Sequence, residues 1–159
     1  MPNQVKTLFT HLHDNNPARY TLYPINGAGV GITPGVALPH DNNTVAGIRG
    51  AWTQMLAAAA APAVEFWYCG YQIILSAVVA LERTSVQIGT GLAAGPPVPI
   101  HDDVDAATTA VAVNVVFAPR RPAYPIYQPA STPISGRSAV PTKAAAANVT
   151  TAVLLATGL

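Results

Sequence analysis

Residues 65–75 read EFWYCGYQIIL and decide the fold class of this 159-residue chain. Aromatic and β-branched residues of this kind favour a strand over a helix. In a regular strand, successive side chains point to opposite faces of the sheet. One face then carries Trp67, Cys69, Tyr71 and Ile73, and the other carries Phe66, Tyr68 and Ile74. Because both faces are apolar, we predict a central strand that is covered on both sides.

Segments with similar β character lie on either side of this strand along the chain. Between Thr109 and Phe117, β-branched and small residues alternate, and the same period of two returns between Val149 and Leu155. Shorter strand candidates are residues 20–25, 45–56 and 85–88, and the alanines before Pro62 allow one short helix within residues 52–61. About seven or eight short strands predict an all-β protein, a β-sandwich or jelly roll.

Glycine and proline mark the connections between these segments. Turn signals occur at residues 26–29, 33–35, 89–91 and 95–97. Prolines recur between residues 119 and 133, and they predict an extended loop or a sheet edge because proline lacks the N–H that a central strand donates. We predict a polar N-terminal arm over residues 1–19 and a single β-sandwich domain over residues 20–159.

The composition bears on the partners of the chain. Only 9% of the residues are charged and 50% are hydrophobic, whereas about 25% are charged in an average protein. A surface with so few charges exposes apolar patches, which normally mark interfaces, so we expect an oligomer or a subunit bound to a lattice. The net charge of +1 provides no basic field for nucleic acid.

Membrane insertion and export are not expected. The aromatic-rich uncharged run at residues 66–81 has 16 residues, which is shorter than the roughly 20 that a membrane-spanning helix needs. The first residues lack the apolar core of a signal peptide. The two glycosylation sequons, at Asn42 and Asn148, are therefore expected to be chance matches.

Clusters of potential metal ligands are few. His101, Asp102, Asp103 and Asp105 offer oxygen ligands for Ca²⁺ or Mg²⁺, but the closing Glu of a calcium loop does not follow, so we predict a solvated acidic loop. The other histidines, at positions 11, 13 and 40, are predicted to be polar loop or arm residues, since a zinc site needs three or four ligands. A partnership of His40 with His101 and a pH-dependent interface remain open alternatives.

The remaining motifs do not support catalysis. The glycines at 27, 29 and 31 do not have the spacing of a dinucleotide-binding loop, and no helix start follows them. Cys69, the sole cysteine, lies among aromatic residues that make its thiol inert. We therefore predict no catalytic, cofactor or metal site. The enzyme alternative is a small hydrolase that brings His40 or His101 to a nucleophile.

Three segments resemble small virion proteins of tailed bacteriophages. Residues 86–95, VQIGTGLAAG, resemble a strand and loop of the IGTGAAG type in those proteins. Residues 129–138, PASTPISGRS, and residues 150–159, TTAVLLATGL, are similar to two later strands of the same family. The order of the segments matches that of the family, and the span covers about half of the chain.

The resemblance implies a jelly-roll auxiliary protein of the virion, for instance a capsid decoration (cement) protein. Such a protein is non-enzymatic, is assembled in the host cytoplasm and clamps subunits of the major capsid protein, and the trimeric state is left open. Aromatic and Arg side chains are common interface anchors, and the expected contact residues are Leu8, Leu12, Arg19, Tyr124, Ile126 and Tyr127. The alternative function is a carbohydrate- or receptor-binding module of the virion, for which Trp52, Tyr124 and Tyr127 are the candidates.

Overall fold

The computed structural model describes residues 20–23, 36–38, 49–76, 83–106, 115–116, 118–139 and 148–157. Within these ranges the regular structure consists of strands, without a helix. The strands are β1 Tyr20–Tyr23, β2 Val36–Leu38, β3 Thr53–Leu56, β4 Phe66–Ser76, β5 Arg83–Thr90, β6 Val98–Ala106, β7 Val115–Val116, β8 Ile126–Gln128, β9 Ile134–Ala139 and β10 Asn148–Thr157. The predicted all-β class is confirmed.

The strands form two antiparallel sheets. The larger sheet has the order β1-β10-β4-β7, with β2 also paired to β10 and β8 also paired to β4. The smaller sheet has the order β3-β9-β5-β6. β4 therefore lies in the middle of its sheet, between β10 and the short strands β7 and β8. The prediction of a central strand at residues 65–75 is confirmed.

An apolar core lies between the two sheets, in a sandwich-like arrangement. Both sheets contribute to it, since Leu56, Val86, Ile88 and Ile134 come from the smaller sheet and pack with side chains of β4 and β10. The contributions of the larger sheet are Phe66, Tyr68, Tyr71, Ile73, Val153 and Leu155. The largest fully buried side chains include the two tyrosines and Phe66. The aromatic residues of β4 thus supply much of the core volume.

A β-bulge at Gly70 interrupts the alternation of side chains that the sequence predicts along β4. β10 pairs Leu154 with Gly70 and Leu155 with Tyr68, so β4 contains one extra residue at this point. Gly70 has a φ of 135°, which side chains rarely allow. The bulge brings Tyr71 to the same core face as Tyr68, and it leaves Cys69 on the opposite face.

The acidic segment after Ile100 is a strand and not the predicted loop. Residues 101–106 belong to β6, which pairs with β5 along its length. His101 is opposite Ile88, and Asp102 is opposite Gln87. Among the described residues β6 is at the end of its sheet, and acidic side chains are common on edge strands because they prevent further pairing.

Two other predictions of local structure can be compared with the structure. The short helix allowed within residues 52–61 is absent; β3 occupies the first part, and the alanines form a turn in which the N–H groups of Ala60 and Ala61 donate to the carbonyl oxygen of Ala57. The described residues contain no helix long and apolar enough to cross a membrane. The predicted arm, residues 1–19, lies outside the described residues.

Candidate functional site

Three connections meet at one end of the two sheets. They are residues 57–65 between β3 and β4, residues 91–97 between β5 and β6, and residues 129–133 between β8 and β9. The N–H of Ser131 donates to the carbonyl oxygen of Pro62 at 2.8 Å, and the N–H of Gly91 donates to that of Pro133 at 2.9 Å. These two hydrogen bonds join the three connections, and we call the resulting surface the loop end.

The loop end is apolar and exposed. Its three segments consist mainly of Ala, Pro, Gly, Val and Leu, and Glu65 is their single ionisable residue. Val64 and Leu92 are 56% and 58% exposed, and Val98, the first residue of β6, is 66% exposed. Exposed apolar side chains in a region with one charge make the loop end a candidate protein-binding surface.

Tyr127 extends the loop end onto the outer side of the larger sheet. It is 53% exposed, and its ring packs edge-on against Trp67 with the ring centres 5.7 Å apart. Its hydroxyl donates to Oε2 of Glu65 at 3.2 Å. Partial loss of solvent raises the pKa of Tyr127, and the hydrogen bond and the negative charge of Glu65 raise it further. The one carboxylate of the loop end is thus paired with an aromatic side chain.

The residues predicted to make contacts lie in different environments. Tyr124 is 58% exposed beside β8, whereas Ile126 is partly buried and packs against the core between the sheets. Leu8, Leu12 and Arg19 lie outside the described residues. The contact role of all six residues stays a prediction.

The sequence did not predict the exposed residues at the loop end, above all Val64, Leu92 and the adjoining Val98. The available signal was the near absence of charge from residues 57–65 and 91–97. The helix propensity of the alanine run says nothing about whether the segment is exposed.

A second surface lies on the outer face of the smaller sheet. Arg137, Gln87 and Asp102 occupy neighbouring positions on β9, β5 and β6. Nε of Arg137 donates to Oε1 of Gln87 at 2.8 Å, and Nε2 of Gln87 donates to Oδ2 of Asp102 at 3.0 Å. Nη2 of Arg49 contacts both carboxylate oxygens of Asp102, at 2.6 and 2.7 Å. The guanidinium of Arg137 lies over the ring of Trp52, 4.5 Å from its centre. We call these five residues the Trp52 platform.

His101 belongs to a third polar contact, at the edge of the core. Its Nδ1 is 2.7 Å from the hydroxyl of Tyr68, and its ring centre is 5.1 Å from that of Tyr71. The described residues contain no group of three or more His, Cys, Asp or Glu side chains that would hold a metal ion. His40, the proposed partner of His101, lies outside the described residues.

Cys69 is buried on the outer side of the larger sheet with Leu154 and Ala156. Burial raises the pKa of the Cys69 thiol to about 12, although the charge of Arg121 opposes the shift. A protonated, buried thiol is a poor nucleophile and a poor metal ligand.

Comparison with protein-family models, with curated proteins and with solved structures finds no match for this chain.

Proposed function

We propose that the chain is a non-enzymatic structural protein of a virion, a capsid decoration protein that binds and stabilises the lattice of the major capsid protein. The observation that carries this proposal is the loop end, which contains one ionisable residue and exposes Val64 and Leu92, with exposed Val98 directly beside it in the chain. Many copies on a lattice gain avidity from repetition, so a modest apolar contact in each copy suffices.

The positions of the resembling segments support the proposal. Residues 86–95 form most of β5 and the turn that follows, and residues 129–138 lead from the loop end into β9. β5 and β9 are paired neighbours, and the described part of residues 150–159 belongs to β10. The segments that resemble virion proteins therefore hold two of the three connections of the loop end. We extend the proposal to a jelly-roll topology for the whole chain.

The environments of the reactive side chains are also consistent with a binding role. The Cys69 thiol is buried and protonated, Asp102 is in an ion pair with Arg49, and His101 is close to the Tyr68 hydroxyl. In the proposed assembly the chain is an oligomer on the capsid surface. The polar arm, residues 1–19, and the loop around Tyr124 and Tyr127 reach neighbouring subunits.

The test is co-sedimentation of the full chain with capsids that were assembled without it. We expect the chain to pellet with the capsids and to protect them against heat. Leu92→Asp places a carboxylate in the apolar contact and is expected to weaken binding by about tenfold or more, because the charge loses its water on binding. Ala118→Asp is the matched control, since Ala118 is exposed but lies outside the loop end.

Two results would contradict the proposal. One is an unmodified chain that stays in the supernatant with capsids in excess. The other is equal binding of the Leu92→Asp and Ala118→Asp variants, because the contact would then lie elsewhere. Circular dichroism of both variants shows whether they are folded before binding is compared.

A further inference from the structure

We infer that the Trp52 platform binds a saccharide that carries a carboxylate group. This role is distinct from capsid binding, because the polar row of the platform lies on the outer face of the smaller sheet, although Trp52 adjoins the loop end near Pro97. Its polar row crosses three neighbouring strands, β9, β5 and β6, and two strand spacings amount to about 10 Å. An open row of this length suits an extended ligand such as a short oligosaccharide.

The absence of a side chain at Gly89 leaves room for the ring of Trp52. Gly89 has no side chain, and a Cβ atom there would lie 3.0 Å from the Cη2 atom of Trp52 and 3.0 Å from Cβ of Pro97. Glycine at this position therefore allows the indole to lie across the sheet, where it is half-buried. The guanidinium of Arg137 covers one face of the ring, and the part of the indole that stays exposed is the apolar surface against which the C–H face of a sugar packs.

The polar groups of the platform are held in place before any ligand arrives. A chain of hydrogen bonds runs from Arg137 through Gln87 to Asp102 and ends at Arg49. Gln87 is only 7% exposed, so the centre of this chain is buried. Groups that are already ordered lose less conformational entropy on binding.

The unused hydrogen-bonding groups indicate the chemistry of the ligand. Nε of Arg137 donates a hydrogen bond to Gln87, and no described residue accepts a hydrogen bond from the two terminal nitrogens of Arg137. Those nitrogens form the planar fork that binds a carboxylate in bidentate fashion. Asp102 already accepts from Arg49 and Gln87, but each carboxylate oxygen has further lone pairs, and with 43% of the side chain exposed they can accept from hydroxyl groups. Together these groups match a sugar acid, which offers a carboxylate, hydroxyls and an apolar face.

The charge of the platform favours a single negative charge on the ligand. Arg49 and Arg137 contribute two positive charges, and Asp102 in the same row contributes one negative charge. The net charge of the platform, +1, is balanced by one carboxylate, whereas a phosphate dianion leaves an excess negative charge beside Asp102. The net charge of the chain, +1, provides no wider basic field for a nucleic acid backbone. An acidic peptide such as triglutamate carries the carboxylate but lacks the hydroxyl groups that would donate hydrogen bonds to Asp102.

The experiment uses the full chain with Trp67→Phe, so that Trp52 is the remaining tryptophan and reports on the platform by fluorescence. The probes are trigalacturonate and sialyllactose as acidic saccharides, maltotriose as a neutral one, and triglutamate as an acidic peptide. We expect a saturable change in Trp52 emission with at least one acidic saccharide. Maltotriose and triglutamate are expected to bind at least about tenfold more weakly than the acidic saccharide, since maltotriose lacks the carboxylate and triglutamate lacks the sugar hydroxyls.

Substitutions in the same background locate the site. Arg137→Lys keeps the charge but removes the fork and is expected to weaken binding about tenfold. Arg121→Met is the control for charge, because Arg121 is an exposed arginine outside the platform, and it is expected to leave the affinity unchanged. Equal thermal midpoints of the two variants show that a difference in binding does not come from unfolding.

Three results would overturn the inference. The first is no change in Trp52 emission with either acidic saccharide at millimolar concentration. The second is equal or tighter binding of triglutamate or maltotriose, which would make the platform a peptide site or a neutral sugar site. The third is unchanged affinity in the Arg137→Lys variant.

Discussion

Gly70 is the residue on which the arrangement of β4 depends. Its φ is 135°, and a Cβ atom there would lie 2.0 Å from the carbonyl oxygen of Arg120. The backbone of Arg120 approaches so closely because it exchanges two hydrogen bonds with Tyr71, of 2.9 and 2.8 Å. Glycine at position 70 therefore allows both the bulge and the pairing at the edge of β4.

We predict that Gly70→Ala lowers the free energy of unfolding by about 2–4 kcal/mol, because it adds backbone strain and a clash with a backbone atom that cannot rotate away. Urea unfolding measures the change. Gly95→Ala is the matched control, since the nearest atom to its added Cβ is 3.8 Å away, and it is expected to change the stability by less than about 1 kcal/mol. Equal effects of the two substitutions would contradict this account of β4.

The raised pKa of Cys69 predicts slow alkylation in the folded protein. With a folded pKa of about 12 against an ordinary value of 9.0, the thiolate population at pH 8 falls about a thousandfold on folding. Iodoacetamide labelling followed by mass spectrometry should be at least a hundredfold slower in buffer than in urea. Similar rates in both solvents would show that the thiol is accessible.

The same shift gives a pH dependence of stability with a definite sign. The folded state favours the protonated thiol, so the contribution of Cys69 is fully present below pH 9 and is lost as the pH rises from about 9 to about 12. A Cys69→Ala variant lacks this contribution, and its stability is expected to fall less steeply over that range.

Residue by residue, the sequence predicted which side chains of β4 are buried better than which face they occupy. Phe66, Tyr68, Cys69 and Tyr71 are all buried, as expected. The predicted faces of the residues after Cys69 were wrong, because strict alternation assumes a regular strand without a bulge. A glycine within a strand pattern is the usual sign of a bulge or a close backbone approach, and Gly70 was the available signal.

At the scale of elements, Gln54 joins three parts of the structure. Its Nε2 donates to the carbonyl oxygens of Leu56 and Ile134 at 2.8 and 2.9 Å. Its Oε1 accepts the N–H of Ala93 at 3.1 Å. One side chain of β3 thus holds β9 and the β5–β6 connection, which belongs to the loop end.

We predict that Gln54→Leu lowers the free energy of unfolding by about 2–3 kcal/mol, because three backbone groups lose their partner while the side-chain volume is nearly kept. Hydrogen exchange should also become faster at the Ala93 amide. A variant with unchanged stability and unchanged exchange at Ala93 would show that the three hydrogen bonds do not hold the loop end together.

The elements differ in how well the sequence predicted them. Patterns of aromatic and β-branched residues predicted β4, β5 and β10, because these strands are buried and their local preference agrees with the fold. The prediction of a loop after Ile100, where the structure has β6, was wrong because three aspartates give this segment the composition of a loop. Pairing with β5 outweighs that local preference, and this pairing depends on residues far away along the chain.

At the scale of the whole molecule, the low charge content of the sequence corresponds to the exposed apolar surface of the loop end. The composition predicted an apolar surface but not its location, since the three connections meet only through the fold. Hydrogen bonds from Ser131 to Pro62 and from Gly91 to Pro133 bring them together.

An apolar contact predicts that capsid binding is nearly independent of salt. Raising NaCl from 0.1 to 0.5 M screens charges but leaves apolar burial intact. We expect the Kd for capsids, measured by sedimentation, to change by less than about threefold. A loss of affinity of tenfold or more would instead indicate a contact made by charged residues.

The most direct test of the proposed role is a reconstruction of the whole virion by electron cryomicroscopy. We predict density for this chain on the outside of the capsid, with Val64, Leu92 and Tyr127 turned toward the shell. Particles without this density, or density in which the loop end faces solvent, would contradict the proposal that this apolar surface binds the capsid.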